Sequence, residues 1–186
     1  MHTHFDFKLP AWVEPFVNTY EDDFSTPEQR MAFVIALSAE NIKHKTGGPF
    51  GAAIFDSKGQ LIAPGVNLVT TTNSSILHAE MVAIALAQKA LGRYDLSDGG
   101  KENFELAAST EPCAMCFGAV PWSGVKQLLC GARDEDARAV GFDEGAKLSE
   151  WPEALKERGI TVARDIERQA AVNVLNDYAK QRGTIY

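Results

Sequence analysis

The sequence has 186 residues, 45% hydrophobic and 23% charged, which suits one globular domain with a sizeable core. A formal net charge of -7 opposes a nucleic-acid partner, whose phosphates attract a concentrated Lys/Arg surface. No apolar run approaches the ~20 residues of a membrane span, and residues 1–10 lack the basic-then-apolar pattern of a secretory leader.

Residues 1–24 contain Phe5, Phe7, Trp12, Phe16, Tyr20 and Phe24, interrupted by Pro10 and Pro15. This is too aromatic for a solvated tail. It reads as an arm with a short helix, lying on the body or on a neighbouring subunit. Thr26-Pro27-Glu28-Gln29 has the form of a capping box with proline at the first helical position. Met31, Val34, Ile35, Ser38 and Ile42 then follow a 3.6-residue period. Lys43, His44 and Lys45 suit the negative end of that helix, and Gly47-Gly48 stop it.

Residues 50–56 read as a strand, 57–59 as a turn, and 61–67 as an antiparallel second strand. Pro64 and Gly65 mark that strand as an edge or a bulge. Residues 70–75 read as a polar loop. Residues 81–91 form a helix apolar on most sides, ended by Gly92. After a polar loop at 94–103 come a strand at 104–109, a second apolar helix to about residue 120, and a strand at 125–131. Residues 132–153 read as irregular, 160–162 as a short strand and 166–180 as a closing helix. The alternation predicts one domain, an α/β fold. Its form is a three-layer α/β/α sandwich on a mixed five-stranded sheet, parallel in its second half.

The chemistry concentrates in His78-Ala79-Glu80 and Pro112-Cys113-Ala114-Met115-Cys116. The proline favours a first helical position, which puts Cys113 and Cys116 in one first turn. At i and i+3 they share a face. The positive helix end lowers a thiol's pKa towards the thiolate that zinc needs. His78 starts the other apolar helix. If the two helices lie side by side, the stretches supply one imidazole and two thiolates around one point. That is a catalytic zinc set with an open position, whereas a structural zinc would need a fourth ligand. Zinc lowers the pKa of a water it binds to roughly 7. Glu80 is not needed as a ligand. It can take a proton from water and return it to a leaving amine.

Taken alone, each feature has a plainer reading. His78 could be a core or cap residue, and the C-x-x-C could be redox-active or merely buried. Phe50 could be core, Asn67 a strand-end turn residue, Trp122 simple packing, and Asp143-Glu144 a solvated pair. Cys130 reads as core, and His2, His4 and His44 as surface. Three cysteines without a disulfide framework suit a reduced, cytoplasmic setting.

The conjunction H-x-E with P-C-x-x-C resembles the signature of zinc-dependent base deaminases. From Gly47 onward the chain resembles the cytidine deaminase-like superfamily, and within it the bacterial guanine deaminase branch. Gly48-Pro49-Phe50-Gly51, Gly65-Val66-Asn67 and the PCAMC helix carry the resemblance. Gly141-Phe142-Asp143-Glu144-Gly145 points to the branch.

The resemblance implies His78, Cys113 and Cys116 as ligands of one zinc per subunit, and Glu80 as proton shuttle. It implies Phe50 as a ring that stacks on a purine base, and Asn67 and the Ala79 backbone as contacts to that base. Trp122 would be an aromatic wall. Glu144 would be a base contact that assists proton transfer, and Tyr186 a residue that caps the pocket. It further implies a homodimer, with roughly residues 132–186 exchanged between subunits. The implied reaction is hydrolytic deamination of guanine to xanthine and ammonia. Rival substrates are guanosine, cytosine, a pterin or an aminotriazine, with tRNA adenosine further off.

Overall fold

A computed structural model describes residues 3–21 and 23–186. The surface reading of His2 lies outside the described residues.

The arm contains helix α1, Val13–Thr19. It lies on the body of its own chain. Trp12 stacks on His44 with centroids 5.3 Å apart and donates from Nε1 to Thr46 Oγ1 at 2.9 Å. Tyr20 and Phe24 pack edge-on against Phe33, at 4.9 and 5.0 Å. His44 is exposed, as expected, and carries the stacked Trp12 ring of the arm. His4 is exposed.

Helix α2, Pro27–Lys43, starts as its sequence requires. Thr26 Oγ1 accepts from the Gln29 amide at 3.2 Å, and Gln29 Oε1 accepts from the Thr26 amide at 3.0 Å. Two otherwise orphaned N–H groups are satisfied by one residue pair.

Strands β1 (Gly51–Asp56), β2 (Leu61–Val66), β3 (Phe104–Thr110), β4 (Gln127–Ala132) and β5 (Thr161–Ala163) form one sheet in the order β2-β1-β3-β4-β5. β1 runs antiparallel to β2 and β3, whereas β3, β4 and β5 are parallel. Pro64 is tolerated because β2 is an edge. The register shifts between Ile54 and Phe55, which pair with Ala63 and Leu61, so the irregularity falls at Ile62 rather than at Pro64-Gly65.

Helices cover both faces. α2 and α8 (Arg168–Lys180) pack over one, where Phe33, Leu37, Phe55, Leu129 and Leu175 are buried. α4 (Ala79–Leu91), α5 (Ala114–Ser123) and α7 (Trp151–Lys156) pack over the other, where Ile54, Leu106, Val120, Leu128 and Leu155 are buried. Neighbours such as Ile54 and Phe55, or Leu128 and Leu129, divide between the two cores, as a period of two requires. The three-layer sandwich on a mixed sheet is thus the observed fold. Cys130 is fully buried in the second core.

Two stretches expected to lack structure hold short helices: α3 at Val69–Thr72, and α6 (Asp134–Ala139) with α7 in the 132–153 region. Neither α3 nor α6 is long enough to show an apolar period. Among the described residues no helix is long and apolar enough to cross a membrane.

Candidate metal centre and substrate cleft

Two helix starts meet at the carboxyl end of β3. His78 is the N-cap of α4 and Cys113 the N-cap of α5, both in extended backbone, so each side chain projects ahead of its helix. Pro112 therefore stands one residue before the cap rather than inside the helix, and the proline inside α5 is Pro121. α4 comes close because Gly65 of β2 lies under it. A Cβ at Gly65 would collide with the Ala79 carbonyl and with Ala83. Ala79 opens α4, which leaves its N–H at the unpaired end of the helix.

Cys113 Sγ lies 3.5 Å from His78 Nδ1, and the ligand atoms of His78, Cys113 and Cys116 all fall within 4.8 Å of one another. Zn–S bonds of about 2.3 Å and Zn–N bonds of about 2.0 Å put tetrahedral neighbours roughly 3.5–3.8 Å apart, so the three donors fit one zinc ion. Only one of the two thiols is shifted towards the thiolate. A hydrogen bond from Cys116, and then one from His78, lower the Cys113 pKa to about 4 despite burial. Cys116 keeps the shared proton, and its own thiol is pushed up. Burial alone would lower the His78 pKa, but its bond to Cys113 and the nearby Glu80 carboxylate leave it raised.

Both predicted carboxylates line the same cleft. Glu80, in the first turn of α4, is buried, and burial followed by the Cys113 charge holds its carboxyl above the usual range. Glu144 sits in the loop after α6 and is pushed up to about 8, by burial first, then by Cys113 and Glu80. Two of those causes are negative charges that a bound dication would offset. The Glu144 carbonyl accepts from the Ala114 amide at 2.9 Å, which ties its loop to the start of α5.

Phe50 lines the cleft with its ring edge-on to Phe142 at 4.8 Å. Tyr186 closes the cleft, 5.4 Å from the Phe142 centroid and 6.5 Å from that of His78. Its hydroxyl abuts Gly48, where any Cβ would occupy its place. Asn67 is fully buried behind this wall. Its Oδ1 accepts from the Val69 amide at 3.1 Å and the Gly48 amide at 3.4 Å. Its Nδ2 and the Tyr186 hydroxyl are buried without a partner. With Tyr186 seated, the cavity measures about 20 Å³. That admits about one water and no purine.

Trp122 does not join the cleft. It stands 82% exposed near the end of α5, because the helix turns the Cys116 face inward and leaves this position outward. The expected aromatic wall of this chain's pocket is Phe142 instead, which the sequence showed only as part of a motif.

Asn41 was also missed, because a polar residue within an apolar helix face reads as a gap in the pattern. Its Nδ2 donates to the carbonyls of Gly48 and Asn67, each at 2.9 Å, so α2 braces both sides of the cleft wall. Glu111, buried at the cleft between β3 and Pro112, was missed as well, although a buried acid beside a ligand turn is itself a signal.

Comparison with known proteins agrees with this geometry. Residues 25–132 match the cytidine and deoxycytidylate deaminase zinc-binding region. A guanine deaminase of Bacillus subtilis (strain 168) is 40% identical over 126 residues, 68% of this chain and 77% of its own length. A solved structure of a guanine deaminase from Nitrosomonas europaea superposes with a TM-score of 0.90 at 42% identity, covering 97% of this chain and 98% of that one. Another, an asparagine-to-alanine variant in complex with 8-azaguanine, gives the same TM-score and identity over 97% and 99% of the two chains. The ligand set, the sandwich and these similarities place the chain in the zinc-dependent cytidine and deoxycytidylate deaminase family, alongside the guanine deaminases.

Proposed function

We propose that this protein deaminates guanine hydrolytically to xanthine and ammonia, with one zinc held by His78, Cys113 and Cys116. The observation that carries the reading is that two buried carboxylates, Glu80 and Glu144, share one cleft with that ligand set. When bound, zinc supplies Lewis-acid polarisation and acidifies a water.

The remaining work falls to the chain. Glu80 takes a proton from the water that attacks C2 of the base. It delivers that proton to a ring nitrogen as the oxygen adds to C2. It then takes a second proton from the hydroxyl now on C2 and passes it to the amine, which departs as C2=O forms. Glu144 reads ring N–H groups and assists that transfer. Asn67 is set as a donor, since its Oδ1 is already committed to two backbone amides. A free Nδ2 suits the carbonyl oxygen of a 6-oxopurine. Phe50 stacks on the ring, the Ala79 backbone adds a polar contact, and Tyr186 swings out to admit the base and back to exclude water. A cleft closed in this way has no place for a ribose, which favours the free base over guanosine or tRNA.

The same reading takes the protein as a cytoplasmic homodimer, with residues 132–186 open to exchange between subunits. Three free cysteines suit that compartment. The outward Trp122 suits a subunit contact. Light scattering should give twice the chain mass, and a monomer at micromolar concentration would end the dimer proposal.

The function is tested by measuring ammonia release from guanine, guanosine, cytosine, adenine, pterins and aminotriazines. Guanine should be turned over fastest. Chelation should stop release, and added zinc should restore it. Preference for any other compound transfers the assignment to that compound.

A further inference from the structure

Lys147 stands three residues after Glu144, at the end of the loop that presents it. Its side chain is only 6% exposed. Nζ donates to the Pro112 carbonyl at 2.8 Å, pairs with Asp134 at 3.0 Å and lies 4.0 Å from Glu111. It also lies over Trp151, 5.0 Å from the ring centroid. A buried ammonium is costly unless paired and hydrogen-bonded, so this degree of satisfaction marks a fixed element.

The bond to Pro112 has a counterpart one turn away. The Ala114 amide donates to the Glu144 carbonyl. Between them the two bonds bracket Cys113 on one segment, and they flank Glu144 to Lys147 on the other. The loop's opposite end is pinned by Phe142, whose ring packs on Phe50 and Tyr186. Arg138 also reaches this loop, donating to the Gly145 carbonyl at 2.8 Å, but its side chain is 43% exposed.

We infer that Lys147 is a positioning residue, which ties the Glu144 loop to the Pro112-Cys113 turn and so sets where the Glu144 carboxyl stands relative to the metal ligands. The inference rests on the reading above in which Glu144 contacts the base. Nζ supplies the donor, the Pro112 carbonyl accepts it, and no proton or electron is exchanged.

Removing the charge breaks the pair with Asp134 Oδ1, a buried atom with no hydrogen-bond partner, but leaves a cation beside each acid. Glu111 keeps Arg164 at 2.5 Å and the Asp134 amide at 3.2 Å, and Asp134 keeps Arg138 at 2.6 Å. In Lys147→Met an unbranched stem still covers Trp151. What disappears is the donor to Pro112 and the 3.0 Å pair with Asp134.

The test compares wild type, Lys147→Met, Glu144→Gln and the double variant, all zinc-loaded. Lys147→Met should lower kcat/KM for guanine about tenfold while zinc stays at one per chain. In the Glu144→Gln background the same change should cost no more than about twofold, because the group being positioned is already gone. Independently of turnover, the Ala114 amide should exchange hydrogen about tenfold faster in Lys147→Met, with amides of β1 and α2 unchanged. Losses that multiply in the double variant, or an Ala114 amide protected as in wild type, overturn the inference. If wild type does not act on guanine, the functional reading falls and hydrogen exchange still decides Lys147. Should Lys147→Met not fold, Lys147→Arg keeps the charge and carries the same readouts, with smaller losses in the same direction.

Discussion

Glu80→Gln lowers guanine turnover by about 10²–10⁴-fold, the range for loss of a general acid–base group, and leaves zinc at one per chain. The substitution keeps the shape of a buried side chain at the first turn of α4 but removes its capacity to carry a proton. The ligands His78, Cys113 and Cys116 are untouched. The pH dependence has a defined sign. Burial raises the Glu80 pKa, and the shuttle starts from the ionised form. Activity therefore falls as pH drops through that raised value. This acid limb is present in wild type and vanishes in the variant. Ammonia assays across pH, with metal analysis of the same samples, check both statements. Full activity in Glu80→Gln would remove the shuttle from this residue.

Glu144→Ala lowers kcat/KM for guanine by roughly ten- to a hundredfold, the equivalent of losing a charged hydrogen bond of about 1.5–3 kcal/mol. Zinc content is unchanged, because Glu144 meets α5 through its backbone carbonyl and not through the ligand set. Fold stability changes little, since the loop stays anchored by Phe142 and Lys147. Steady-state kinetics read the loss, and thermal unfolding separates it from collapse of the loop. A variant as active as wild type would take Glu144 out of the cleft chemistry and weaken the choice of guanine.

Features written in adjacent residues were readable without coordinates. The Thr26–Gln29 box, the αL glycine that ends α4 and the proline on edge strand β2 each depend on local backbone chemistry. The H-x-E and P-C-x-x-C stretches were readable for the same reason, since each is the first turn of one helix. Features set by the rotation of a helix or the path of a loop were not readable. Trp122 follows Pro121 in an apolar helix and could have faced either way, and packing of the Cys116 face turned it out. Asn41 and Lys147 carry no motif. Their partners, Gly48, Asn67, Pro112 and Asp134, lie far along the chain or are backbone carbonyls that any residue would offer.

The sequence by itself determined a zinc-type ligand set, an adjacent carboxylate and an α/β frame, because these follow from residue type, helix ends and periodicity. Only the tertiary structure brought Glu144 and Tyr186 to the same cleft from the far end of the chain. It alone set Asn67 as a donor and seated Tyr186 over the remaining cavity. Those outcomes depend on long-range packing and on which buried polar atoms find partners, and no local pattern encodes either.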